Sequence, residues 1–122
     1  MKPYVASSTK YNTVAHQHHA VTLQCTFHAD PLPDVYWSKN GLTIVSAGRM
    51  APTKIVQNNN TLTIVKSLLT IAGTQIGDAG KYTCHAKNQN GTIQKELDLV
   101  VLCEFSLSIS KYDDDHQFRE CI

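Results

Sequence analysis

The sequence predicts an all-β, two-layer sandwich, and three observations carry that expectation. Apolar and polar residues alternate at period two over several short stretches. Turn residues separate those stretches at intervals of roughly 8–12 residues. No segment shows the 3.6-residue period of a three-turn amphipathic helix. A small closed barrel is the competing all-β architecture, because periodicity alone does not separate it from a sandwich.

Taken in order, Val21, Leu23, Cys25 and Phe27 alternate with Thr22, Gln24, Thr26 and His28, which puts one set on each face of a strand. Asp30-Pro31-Leu32-Pro33-Asp34 stops that strand, since proline donates no hydrogen bond to a ladder. Val35 and Trp37 share a face of the next strand, and Asn40-Gly41 has the composition of a hairpin turn. Residues 53–57 read as a short strand, and Asn58-Asn59-Asn60 as a polar turn that tolerates left-handed backbone. Residues 61–71 are β-branched and apolar, but Leu62 and Ile64 fall out of phase with Leu69 and Ile71. A bulge near residues 66–68, or two burial regimes along one strand, would reconcile them. Tyr82, Cys84 and Ala86 line one face of a strand over 81–87. Residues 88–91 form a tight turn, and Leu97, Leu99 and Val101 alternate in a closing strand.

Composition narrows the functional classes. A chain of 122 residues is one ordinary domain, and 11 basic against 10 acidic residues leave a formal charge of +1. That balance offers no electrostatic footprint for nucleic acid or an acidic membrane face. No apolar run reaches about 18 residues; the best, residues 97–109, is broken by Asp98 and Glu104. The opening Met1-Lys2-Pro3-Tyr4 lacks the apolar stretch of a signal peptide, so a secreted form would have lost it or carry it upstream. The 4 cysteines have no CxxC spacing, which disfavours zinc-ribbon or thioredoxin chemistry and favours an oxidising compartment. Four cysteines allow three pairings.

One set of positions is more specific than any single motif. Cys25 precedes Trp37, and far downstream comes Asp78-Ala79-Gly80-Lys81-Tyr82-Thr83-Cys84. Over residues 2–102 this resembles the immunoglobulin superfamily, and the proline-rich turn, Trp-Ser-Lys-Asn-Gly and compact following region are similar to its intermediate set (I-set). The resemblance implies an immunoglobulin-like antiparallel sandwich with Greek-key topology. It also implies a Cys25–Cys84 bridge between the sheets with Trp37 packed on the sulfurs. The same resemblance implies that Tyr82 takes the tyrosine-corner position, that Asp78 pairs with Arg49, and that Gly80 permits the turn into the strand. A bridge closing about 60 residues would restrict the unfolded chain by roughly 4 kcal/mol in a loop-entropy treatment.

The expected organisation is a domain over residues 1–102, followed by a C-terminal appendage over 103–122 or the start of a following module. Cys103 and Cys121 lie outside the immunoglobulin pattern. A mutual bridge, free thiols, an intermolecular bond and pairing within a following module all stay open. Asp113-Asp114-Asp115 reads as a solvated acidic turn, because adjacent charges lack the alternating spacing of a calcium loop.

No catalytic residue and no cofactor is expected: GxSxG, HExxH and phosphate-cradling glycine loops are missing from the sequence. His16 and His18 would share a face if extended, and with a third ligand could hold a metal ion, but the expected reading is a polar strand with no metal. His28 and His85 are expected to face solvent on neighbouring strands, where a pH-sensitive contact is conceivable. Two sequons, beginning at Asn59 and Asn90, fall at expected turns and are candidate glycosylation sites.

The resemblance implies an extracellular protein-recognition module of an adhesion molecule, receptor ectodomain or small secreted immunoglobulin protein. Its partner would be a protein, with a like domain or a second copy as candidates, and neither nucleic acid nor a membrane span is expected. The expected binding face carries Tyr36, Ser38, Lys81, Thr83, His85 and Lys87, with Tyr36 as anchor. The alternatives are a secreted ligand- or growth-factor-binding protein and a structural domain of an intracellular muscle or cytoskeletal protein.

Overall fold

The computed structural model describes residues 2–10, 12–59, 62–105 and 117–120. The alternation read from the sequence becomes two packed sheets. One sheet has the order β1 (Tyr4–Ser8), β3 (Val21–Ala29), β7 (Leu62–Ile71), β6 (Met50–Asn59). The other runs β10 (Gln117–Glu120), β9 (Gly91–Phe105), β8 (Gly80–Asn88), β4 (Asp34–Lys39), β5 (Leu42–Thr43). The strand β2 (Asn12–His16) lies parallel to β9, from Asn12 opposite Asp98 to His16 opposite Leu102; the other pairings are antiparallel. The N-terminal segment therefore serves both sheets, β1 in one and β2 in the other, which the period-two pattern gave no means of seeing.

Leu23, Cys25 and Phe27 of β3 face Trp37 of β4, Tyr82, Cys84 and Ala86 of β8, and Leu97, Leu99 and Val101 of β9 across the core, all of them buried. Cys25 and Cys84 are bonded across the two layers with a Cα–Cα separation of 6.5 Å. In β8 and β4, Cys84 is directly opposite Trp37, so the bridge and the largest core side chain share one register step.

Three expectations need correction. The short strand over 53–57 is a ten-residue strand, β6, because it pairs with β7 along its whole length. Asn58 and Asn59 are ladder residues opposite Thr63 and Leu62, so they are not the turn; Asn60 and Thr61 lie outside the described residues. No bulge interrupts β7: its register is one-to-one with both neighbours, and burial alternates without a break from Leu62 to Ile71. Val65, Leu69 and Ile71 face the core with Thr63 and Ser67, whereas Leu62, Ile64 and Leu68 lie half-buried on the outer face. The phase conflict in the sequence reflects aliphatic residues on both faces of one regular strand.

A polar pin fixes the turn into β8. The 3₁₀ turn Ile76–Asp78 leaves Asp78 buried, and its carboxylate accepts from Arg49 Nη1 at 2.6 Å, Arg49 Nη2 at 3.0 Å and the Gln75 N–H at 2.7 Å. The Tyr82 hydroxyl donates to the Asp78 carbonyl at 2.5 Å. Arg49 also donates to the carbonyls of Ala72 and Gly73, so one guanidinium ties the start of β6 to the β7–β8 loop. Gly80 follows at φ 138°, a backbone region that side chains rarely adopt. Burial alone would raise the Asp78 carboxyl, but the Arg49 hydrogen bond, the Gln75 N–H and the charges of Arg49 and Lys39 together hold it below the usual carboxylate value. Burial and the Asp78 charge push the Tyr82 phenol up.

Replacing Cys25 and Cys84 together by alanine lowers unfolding stability by about 2–5 kcal/mol, read from urea denaturation; a loss under about 1 kcal/mol would contradict a stabilising role for the bridge. The Asp78 carboxyl titrates lower in the folded than in the unfolded chain, so its contribution is complete above the unfolded carboxylate value, near 4. It is lost as pH falls through the lower folded value. Urea midpoints measured from pH 6 to pH 2 therefore fall with acid in the wild type, and Asp78→Asn flattens part of that slope while lowering the midpoint at pH 6.

Candidate functional site

The sheet face turned away from the core across β4, β8 and β9 is assembled by register. Tyr36 lies opposite His85, Ser38 opposite Thr83 and Asp34 opposite Lys87 between β4 and β8. His85 lies opposite Gln94, Thr83 opposite Glu96, and Lys87 opposite Thr92 between β8 and β9. Alternation sends these side chains outward because Trp37, Tyr82, Cys84 and Ala86 between them point into the core.

At the centre is a compact tile of three residues. The rings of Tyr36 and His85 stack with centroids 4.3 Å apart and planes inclined by 6°. His85 Nε2 and Ser38 Oγ are hydrogen-bonded at 2.7 Å. Tyr36 stays 42% exposed and presents a flat aromatic surface, while Ser38 is buried at 8% beneath the side chains around it. Burial lowers the His85 imidazole below its ordinary value, so the ring is neutral at pH 7. Around the tile stand Lys81, which is 3.9 Å from Glu96, and Lys87. All six residues expected on this face lie on it; Ser38 supports the surface rather than offering contact area.

The Asn40-Gly41 turn closes the β4–β5 hairpin with both residues at positive φ, 54° and 80°, as its composition requires. It leaves β5 only two residues long. Beyond it, between β4 and β6, a cleft of about 270 Å³ is lined by Val35, Tyr36, Trp37, Pro52, Thr53 and Lys54 among others. No sequence signal marks that cleft, because its walls belong to different sheets.

The histidines are arranged differently from the expectation. His28 and His85 are not on neighbouring strands: β3 and β8 belong to opposite sheets. His28 Nδ1 is instead 2.9 Å from the Tyr4 hydroxyl, with the two rings edge-on at 5.1 Å. His16 and His18 do not share a strand face, since His18 sits in the turn after β2 at φ 74°. His16 contacts His19 edge-on with ring centroids 6.2 Å apart. Among the described residues no group of three or more His, Cys, Asp or Glu could hold a metal ion.

Asn90 is exposed at the tip of the β8–β9 turn, its Nδ2 donating to the Asp30 carbonyl at 3.1 Å. A glycosylated amide keeps one N–H, so that bond is compatible with an attached sugar. The second sequon extends beyond the described residues at Asn60 and Thr61. Cys103 lies within β9 and is disulfide-bonded; Cys121 and the Asp113-Asp114-Asp115 run lie outside the described residues. The strand β9 runs through position 102 without interruption to Phe105, and β10 pairs with its last four residues.

Comparison with known proteins bears on what this face belongs to. The chain is 32% identical over 82 residues to mouse Hemicentin-2, a stretch covering 67% of this chain and 1% of that protein. It is 36% identical over 83 residues to the mouse basement membrane-specific heparan sulfate proteoglycan core protein, covering 68% of this chain and 2% of the relative. The chain thus spans only a small fraction of the length of these relatives. A solved complex of Dpr2 Ig1-Ig2 with DIP-Theta Ig1-Ig3 matches 83% of this chain and 32% of its own with a TM-score of 0.74 at 28% identity. The Immunoglobulin I-set domain profile matches residues 3–101, and with the bridge, the pin and the two-sheet order in place the chain belongs to the immunoglobulin I-set family.

Proposed function

We propose that this I-set domain is an extracellular protein-recognition module whose contact surface is the outer face of β4, β8 and β9, and whose partner is another immunoglobulin domain. The observation that carries the reading is the Tyr36–His85–Ser38 tile: an exposed aromatic ring held flat by a stack and a hydrogen bond loses little conformational freedom when a partner covers it. The solved complex similar to this chain joins two proteins built of immunoglobulin domains, which supports the same class of partner here. An I-set domain is a non-catalytic module, so recognition is the chemistry this face can perform.

An extracellular compartment is supported by covalent chemistry. A structural disulfide persists in oxidising surroundings, and the basement-membrane relative points to the same side of the cell. The region from position 103 onward is read as a C-terminal extension that continues the sheet through the end of β9 and β10, with Cys103 disulfide-bonded, and Asn90 as a glycan acceptor.

Two measurements check the reading. Sedimentation velocity over a concentration series at pH 7.5 shows reversible self-association, and Tyr36→Ala weakens it at least tenfold, about 1.4 kcal/mol. A strictly monomeric protein at all concentrations removes a second copy from the candidate partners. Intact mass after secretory expression shows glycan at Asn90 that Asn90→Gln removes, and no free thiol before reduction. Four free thiols and no glycan would overturn the extracellular reading in favour of a reduced, intracellular structural domain.

A further inference from the structure

The same tile that makes the face flat also contains a titratable imidazole. His85 occupies the middle of the sheet face, stacked on Tyr36 at 4.3 Å and bonded through Nε2 to Ser38 Oγ at 2.7 Å. Its surroundings can be enumerated from the register. From β4 come Asp34, Tyr36 and Ser38; from β8, Lys81, Thr83 and Lys87; from β9, Thr92, Gln94, Glu96 and Asp98. The carboxylates are Asp34, directly opposite Lys87, Glu96, 3.9 Å from Lys81, and Asp98, directly opposite Lys81; none of the three lies directly opposite His85. An imidazolium formed here gains no dedicated counter-charge.

We propose that His85 is a proton-operated latch on the recognition face: neutral His85 holds Tyr36 flat and Ser38 tied, and protonation opens the tile and weakens association. The inference rests on the assignment of this face as the contact surface. Two physical effects oppose each other at the ring. The face of Tyr36 attracts a cation, which would favour protonation. Half-burial strips water from the charged form, which disfavours it. Desolvation holds the imidazole below its ordinary value, and the latch takes it to outweigh the attraction of the Tyr36 face. The charged ring regains water by swinging outward, and that movement removes the stack from Tyr36 and the bond from Ser38. A partner covering the face excludes more water, so binding and proton release are linked. Each covered His85 steepens the loss of affinity by up to about tenfold per pH unit below its folded titration point.

The test has two arms that read different things. On the free protein, a carbon–proton NMR titration from pH 8 to pH 4.5 follows the His85 ring and the Tyr36 ring together. The expected result is a His85 midpoint below the ordinary imidazole value, near 6.5, with Tyr36 ring protons losing their stacking shift along the same curve. Tyr36→Ala or Ser38→Ala, each removing one restraint on the neutral ring, moves that midpoint. A His85 midpoint at or above the ordinary value, or Tyr36 resonances that ignore it, overturns the latch. In the second arm, sedimentation velocity of the wild type and His85→Gln at pH 7.5 and pH 5.5 uses a second copy of the chain as the probe. The wild type dissociates on acidification by tenfold or more, and the glutamine variant does not. Equal pH dependence in both proteins also overturns the latch. Absence of self-association at either pH counts instead against a second copy as the partner, and the NMR arm then decides the latch alone.

Discussion

The covalent bond between Cys25 and Cys84 is the constraint on which the remaining geometry depends. It joins the central strands of the two sheets, and Trp37 sits one pairing step away on β4. Once β3 and β8 are held at this separation, the distance between layers is set for the aliphatic residues of β7 and β9 that fill the space around them. The bridge alone does not orient β8. That is done by Asp78, whose carboxylate collects two guanidinium bonds and a backbone N–H while its carbonyl receives the Tyr82 hydroxyl. Bridge and pin meet on the same strand two residues apart, so the outward residues of β8 are placed by interactions on its inward side.

That coupling explains how a buried pattern yields a surface. Alternation on β8 makes Tyr82, Cys84 and Ala86 internal and leaves Lys81, Thr83, His85 and Lys87 outward. A rigid inner row means a rigid outer row, because in a pleated strand both hang from the same backbone. The Tyr36–His85 stack inherits its order from Trp37 and Cys84, their immediate neighbours in sequence on the opposite side of the sheet. As the proposed contact surface, a face built on strands rather than loops would be fixed before any partner arrived, which would lower the ordering cost of binding.

How much of this was readable beforehand varied with the range of the interaction. The strands around Leu23, Trp37, Tyr82 and Leu97 were legible because burial on one face alone writes a clean period of two. The strand β7 was misleading because both of its faces carry aliphatics: Val65, Leu69 and Ile71 inside, Leu62, Ile64 and Leu68 outside. The length of β6 was hidden because its side chains from Thr53 to Asn58 are exposed, and exposed residues need no periodicity. The Asn run looked like a turn for the same local reason that β7 overrode it: intrinsic propensity is weak beside a continuous ladder.

The amino-acid pattern established the all-β class and the residues facing outward on β4 and β8, while the Cys25–Cys84 bridge and the Arg49–Asp78 and Tyr82 roles came from the resemblance it carries. Packing in three dimensions was needed to show that β2 runs parallel to β9, that His28 and His85 belong to opposite sheets, and that His85 stacks on Tyr36 while bonding Ser38, a residue 47 positions away. The reason is physical. Facing direction is a property of one strand and its own alternation, whereas register and sheet membership belong to pairs of strands, and a pair is specified only when both are packed against the same core.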